Sequence, residues 1–290
     1  MALLWGMPYL FIKEAVDTYS PAAIVAARTL IGAVILLPIA LHRKALRPAL
    51  RKWPWVLAFG AVEMSVPFFL LGHAEETLPS GLTGLLVATV PLFAAAIGFI
   101  TGDRGILKPL RALGLVIGFA GVAVIVAGPG LAVADPGAAL FAIGELMVVA
   151  LFYAIAPFII ATKLKDVPSL GTISLSLLAV GVVYLPIGLA TQHEVPSLRS
   201  TVSLLALGVL CTAVAFVAFF ALIREVGPVR APLFTYVNPI VAILLGVLIL
   251  GETLSVGLLV GFPLVIVGCW LAATGGRLRA RPAEAENVLR

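Results

Sequence analysis

Runs of apolar residues long enough to cross a bilayer alternate with short polar connections along almost the whole chain. They fall at Met1 to about Ile12, Ala22–Leu41, Pro54–Gly72, Ser80–Thr101, Arg111–Ala127, Ala138–Ala161, Ser169–Ala190, Thr201–Ile223, Ala231–Leu250 and Val256–Thr274. About 20 apolar residues in a helix cross the hydrocarbon core. No water there can satisfy an open strand edge, so each run is expected to be a helix. The pattern predicts an all-α membrane protein with ten transmembrane helices.

The two halves of the pattern match at a constant spacing of 148 positions. Pro38 meets Pro186, Gly60 meets Gly208, Phe68 meets Phe216, Pro91 meets Pro239 and Gly98 meets Gly246. Leu37-Pro38-Ile39 is repeated as Leu185-Pro186-Ile187. Five spans is an odd number, so a second copy enters the membrane upside down. The expected organisation is therefore a first five-helix repeat over 1–130, an inverted second repeat over 137–276 and a basic tail over 277–290. Two inverted repeats around a midplane cavity are a recurrent plan among secondary transporters. The counterpart of the sixth span's start lies before Met1. The first span thus looks short, and a natural start upstream is expected.

Charge placement agrees with this reading. Alternate connections and the tail carry 16 of the 19 Lys and Arg, among them Arg43, Arg104, Lys163, Arg224, Arg230 and Arg277. The opposite connections carry only Lys13 and Arg199, and Arg28 lies inside a span. Basic loops stay in the cytoplasm, so both termini are expected there. The net charge of +5 orients the chain, and no nucleic-acid partner is expected. Composition leaves little alternative: 62% of the 290 residues are hydrophobic, 11% are charged, and the mean hydropathy is +1.17. A soluble domain is about 25% charged. Cys211 and Cys269 both fall in apolar runs and suggest neither a disulfide framework nor a metal site.

Enzyme signatures are lacking. The sequence has no Gly-Lys pair for a nucleotide-binding loop and no His-Glu-x-x-His. No enzyme activity, cofactor or metal is expected, which leaves passage of a small solute across the lipid. The repeat points to the middle of the membrane. Trp5 pairs with Tyr153, Phe68 with Phe216 and Ala88 with Tyr236 at the same spacing. These side chains either wall a shared cavity or pack helices together. Beside Pro239, the stretch Thr235-Tyr236-Val237-Asn238 is the most polar of the ninth span, which makes Tyr236 and Asn238 candidate substrate contacts or interhelical bonds. Pro8, Pro38, Pro91, Pro157, Pro186 and Pro239 are expected to kink their spans and free carbonyls.

Three ionisable residues are inside spans: Arg28, Glu63 and Glu145. Such charges need partners or water. Arg28 and Glu145 are expected at similar depth, about six residues or 9 Å below the outer face. They can form a structural ion pair, or clamp the carboxylate and ammonium of an amino acid. Glu63 is a candidate proton carrier. His73, Glu75 and Glu76, at the outer end of the third span, form either an entrance or pH-sensitive gate, or a solvated helix end. Gly114-x-x-x-Gly118 and Gly257-x-x-x-Gly261 favour close helix approach, between the fifth and tenth spans or in a homodimer; monomer and homodimer both remain open.

Several of these features resemble the drug/metabolite transporter superfamily, in its ten-span EamA type. They are Trp5-Gly6 followed by Lys13, then Ser20-Pro21 and Arg28, Pro91 in the fourth span, Asn238-Pro239, and Gly251-Glu252 with its echo Gly102-Asp103. The resemblance covers essentially the whole chain. It implies a basket of helices one to four and six to nine around a central cavity, with five and ten outside. Within the family the chain is most similar to the YddG-type amino-acid exporters, which release aromatic and other neutral amino acids, and this resemblance implies a bacterial inner membrane. Here Val90, not an aromatic residue, precedes Pro91. The expected function is alternating-access export of such amino acids or related metabolites. The alternatives are export of drug-like, purine or vitamin-like solutes, and a passive channel. A channel is disfavoured because the intramembrane polar residues are isolated.

Overall fold

The computed structural model describes residues 1–102, 108–127, 135–227 and 231–276, with only the backbone of 231–233. The expected roles of Asp103, Arg104, Arg230 and the basic tail 277–290, and the last residues of the first repeat, lie outside the described residues. Every regular element among the described residues is a helix, and they include no strand. Among the described residues, eight helical segments are long and apolar enough to cross a membrane: Pro21–His42, Trp53–Thr77, Ser80–Ile100, Pro109–Ala127, Pro136–Lys163, Ser169–Thr191, Leu198–Val226 and Val256–Thr274. Phe234–Leu250 is apolar but shorter. At the start, α1 (Ala2–Gly6) and α2 (Pro8–Ala15) are two short helices meeting at Met7.

Several of these segments are interrupted. Trp53–Thr77 is α5 (Trp53–Gly60), a π-helical turn Ala61–Ser65 and α6 (Val66–Thr77). Pro67 has no N–H to offer the carbonyl one turn earlier, and the ladder widens there. Leu198–Val226 is α12 (Leu198–Gly208), a second π-helical turn Val209–Val214 and α13 (Ala215–Val226). Here the Thr212 hydroxyl bonds the Leu207 carbonyl at 3.0 Å and enters the ladder itself. Ser80–Ile100 breaks at Ala88–Thr89 into α7 (Ser80–Val87) and α8 (Val90–Ile100). The 3-10 turn Ala231–Tyr236 precedes α14 (Asn238–Leu250). The remaining long helices are α3 (Pro21–His42), α9 (Pro109–Ala127), α10 (Pro136–Lys163), α11 (Ser169–Thr191) and α15 (Val256–Thr274), and α4 (Leu46–Arg51) is a short connector.

These boundaries recur at the spacing seen in the sequence. The π turns begin at Ala61 and Val209, α8 and α14 at Val90 and Asn238, and α3 and α11 at Pro21 and Ser169, each pair 148 positions apart. α5 and α12 end at Gly60 and Gly208, and α2 and α10 at Ala15 and Lys163, again 148 apart.

The proline expectation needs correction. Pro38, Pro157 and Pro186 do lie inside continuous helices. Pro8, Pro91 and Pro239 instead open new helices, in the first turn where a missing N–H costs nothing. The backbone breaks just before each of them.

The packing follows from small residues. α9 and α15 lie against each other, with Gly268 facing the backbone of Gly118 and Gly261 facing the Gly121 carbonyl. α3 pairs with α11, and α7 with α14. The outer surface is apolar, with Val34, Val116, Leu189 and Leu248 each more than two-thirds exposed. Such a surface suits lipid as its solvent.

Candidate functional site

One cavity of about 260 Å³ lies among α1, α2, α3, α6, α7, α10, α13 and the α8 and α14 starts. Trp5, Phe68, Ala88, Tyr153, Phe216, Tyr236 and Asn238 all line it, as do Arg28 and Glu63. Residues far apart in sequence meet here because the helix breaks open space beside them. Ala88 and Tyr236 sit at the two breaks, and Glu63 sits on the first π turn.

Trp5 reaches the cavity because Gly6 follows it. A Cβ on Gly6 would lie 2.5 Å from Cβ of Val241, so the missing side chain lets α1 approach α14. The Trp5 ring then meets Phe216 edge-on at 5.8 Å and stands 5.0 Å and 5.4 Å from Phe219 and Phe234. Offset and edge contacts of this kind are the favoured aromatic geometries.

Arg28 is 6% exposed. Its guanidinium lies 3.7 Å from the centre of the Phe68 ring, and its Nε donates to the Thr212 hydroxyl at 3.0 Å. Stacking and one directed bond fix the plane of a group with five N–H donors. Among the described residues its hydrogen bonds are confined to Nε. The Asn238 side-chain oxygen is buried without a hydrogen-bond partner among the described residues. The Cys269 thiol donates to the Ala88 carbonyl at 3.3 Å, satisfying an acceptor left free at the break.

The expected ion pair between Arg28 and Glu145 is not formed. α6 packs on α10, and this brings His73 to Glu145, with Nδ1 and Oε2 2.9 Å apart. Arg28 turns to Phe68 and Thr212 instead. His73 is also 4.0 Å from Glu76 and stacks near Phe69. Neither His73 nor Glu145 lines the cavity. Glu75 departs most from expectation: it is fully buried rather than solvated. Glu252, at the end of the ninth run, accepts the backbone N–H groups of Ser80 and Gly81 at 2.6 and 3.0 Å and caps α7.

Sequence reasoning missed Tyr9 on the cavity wall, Thr212 as the partner of Arg28, and Phe219 and Phe234 around Trp5. The spacing of 148 was a usable signal for one of them, since it pairs Thr212 with Met64, beside Glu63.

Comparison with known proteins places the chain. The model of the EamA-like transporter family matches residues 1–127 and again 140–274. The uncharacterized inner membrane transporter YedA of Escherichia coli K12 is 30% identical over 87% of this chain and 81% of its own length. The uncharacterized transporter YvbV of Bacillus subtilis is 26% identical over 99% of this chain and 93% of its own. Protein PecM of Dickeya dadantii is 25% identical over 99% and 95%. A crystal structure with a TM-score of 0.65 covers 93% of both chains at 21% identity, a likeness of fold.

Proposed function

The chain belongs to the EamA-like transporter family, and from that membership we propose an inner-membrane carrier exporting small amino acids, aromatic and other neutral. It works by alternating access around the cavity that holds Arg28. The carrier is read as ten spans in two inverted five-helix repeats, with both termini in the cytoplasm. Three observations support that plan: the family match in two segments, the recurrence of helix breaks 148 positions apart, and the one-sided Lys and Arg. The membrane assignment rests on the likeness to YedA, an inner membrane transporter by name.

The observation that carries the substrate class is Arg28 held over the Phe68 ring beside aromatic walls. A planar guanidinium pairs a carboxylate in bidentate fashion, and Trp5, Tyr153, Phe216 and Tyr236 offer faces for an apolar side chain. Glu63 lines the same cavity and supplies a counter-charge for an ammonium group. Asn238 and Tyr236 add polar contacts at the break before α14. The volume of about 260 Å³ lies below the usual range for drug-sized ligands, about 300–1,000 Å³, and favours a metabolite-sized solute over a drug-like one.

Purified protein in liposomes tests the reading. Saturable counterflow of radiolabelled L-phenylalanine and L-threonine is expected, with purine nucleobases failing to compete. Exchange of purines without amino acids sinks the substrate class, and flux that never saturates sinks the carrier.

A further inference from the structure

Glu75 lies in the last turn of α6, with no exposed surface. Neither of its carboxyl oxygens has a hydrogen-bond partner among the described residues. The charged groups whose fields reach it are Lys13 on α2, Arg28 on α3 and Glu252 beyond α14, with Tyr9 of α2 also in range. Around α6, the packed helix α10 carries Glu145, already bonded to His73, and Tyr153. The π turn carries Glu63, α7 carries no titratable group, and α6 itself carries His73 and Glu76.

Lys13 reaches Glu75, yet its Nζ donates to the main-chain carbonyl at 2.5 Å. An ionised carboxylate in this position would lack every donor. Burying an unpaired charge is costly even after relaxation, far more so than burying a neutral acid. The ammonium's choice of the carbonyl fits a neutral side chain next to it.

We propose that Glu75 is a proton-binding site of the transport cycle. It holds a proton in this arrangement and releases it when α2 and α6 shift enough to admit water. The carboxyl O–H bond breaks, the proton passes to water, and the electron pair stays on the carboxylate. That carboxylate then takes a hydrogen bond from the Lys13 ammonium. The site alternates between a neutral acid beside a carbonyl-bonded ammonium and a closed ion pair. Such a switch gives α2 and α6 two discrete packings, one for each access state. Solute flux is thereby tied to the proton gradient. The coupling rests on the carrier reading above; the bound proton does not.

Two measurements on the full chain test this separately. Infrared difference spectra of the purified protein at neutral pH are expected to contain a protonated-carboxyl C=O stretch that shifts in D2O and is lost in Glu75→Gln. Absence of the band from the wild type, or its persistence in Glu75→Gln, overturns the proposal. Should Glu75→Gln misfold, Glu75→Asp is expected to move the band, and an unmoved band overturns it equally. In liposomes, L-threonine flux through the wild type is expected to be stimulated by an imposed pH gradient, and Glu75→Gln to lose that stimulation. Stimulation that survives the substitution, or that follows a sodium gradient instead, overturns the coupling. If neither amino acid moves in the wild type, the substrate reading fails, and the infrared band still decides the proton site.

Discussion

Glu252 accepts the backbone N–H of Ser80 at 2.6 Å across 172 positions of chain, and its other oxygen accepts that of Gly81. The first N–H groups of a helix have no partner within it, and the positive end of the helix dipole favours a carboxylate there. Hydrogen bonds to a charged group contribute about 1.5–3 kcal/mol. Glu252→Ala is therefore expected to lower unfolding stability by about that amount, read as a lower melting temperature in detergent. Glu252→Gln keeps one acceptor and should fall between. An alanine variant that melts with the wild type would remove the cap from the account of the fold.

Arg28 offers a test that separates charge from shape. Lys keeps the charge but loses the guanidinium over the Phe68 ring and the directed bond to Thr212. Cation–π contact alone contributes about 0.5–2 kcal/mol. Arg28→Lys is expected to weaken L-phenylalanine binding by roughly tenfold, or 1.4 kcal/mol, with Arg28→Gln weaker still. Equal affinity in Arg28→Lys and wild type would rule out bidentate capture of the carboxylate.

His73 and Glu145 give a prediction about folding. Glu145 is almost wholly buried, and its Oε2 has one close partner, His73 Nδ1 at 2.9 Å. Removing either group leaves the other short of a bond. A double-mutant cycle with His73→Ala and Glu145→Gln is expected to yield a coupling of about 1 kcal/mol, within the range for residues in contact. The same cycle between Arg28 and Glu145 should give less, since these two have separate partners. A larger coupling for the second pair would restore the ion pair that the sequence suggested.

The positions of the long helices were legible because lipid imposes long apolar runs, and the cavity residues because they recur at a fixed spacing. Trp5, Phe68, Tyr153 and Phe216 were found that way. Partner choice was not legible, for a physical reason. Each residue turns a helix by about 100°, so one extra residue in a π turn redirects everything after it. The turn Ala61–Ser65 precedes His73, Glu75 and Glu76. A straight helix puts these three at a solvated end, whereas the structure buries Glu75 and leads His73 to Glu145. Thr212 was hidden similarly, inside the second π turn.

Close packing of α9 on α15 depends on glycine. A Cβ on Gly268 would meet the backbone N and Cα of Gly118, which no rotamer change can relieve. Overpacking of this kind costs about 1–3 kcal/mol. Gly268→Ala is expected to lower the melting temperature, while Gly144→Ala, which meets nothing within 4 Å, should leave it unchanged or slightly raised. Equal melting of the two variants would mean that these helices are held apart in the membrane.

Trp5 can report on the cavity directly. The chain has four tryptophans, and Trp53 and Trp55 are well exposed. Replacing Trp53, Trp55 and Trp270 with Phe leaves Trp5 as the sole indole, on the cavity wall among Phe216, Phe219 and Phe234. A solute entering the cavity must change the polarity at that ring. Addition of L-phenylalanine is expected to shift Trp5 fluorescence with a saturable dependence whose midpoint matches the counterflow constant. Aromatic contacts contribute about 0.5–1.5 kcal/mol each. Trp5→Ala should then weaken binding by about tenfold, and Trp5→Phe by much less. Saturable transport with a silent Trp5 would place the binding site away from Trp5 and its aromatic neighbours Phe216, Phe219 and Phe234.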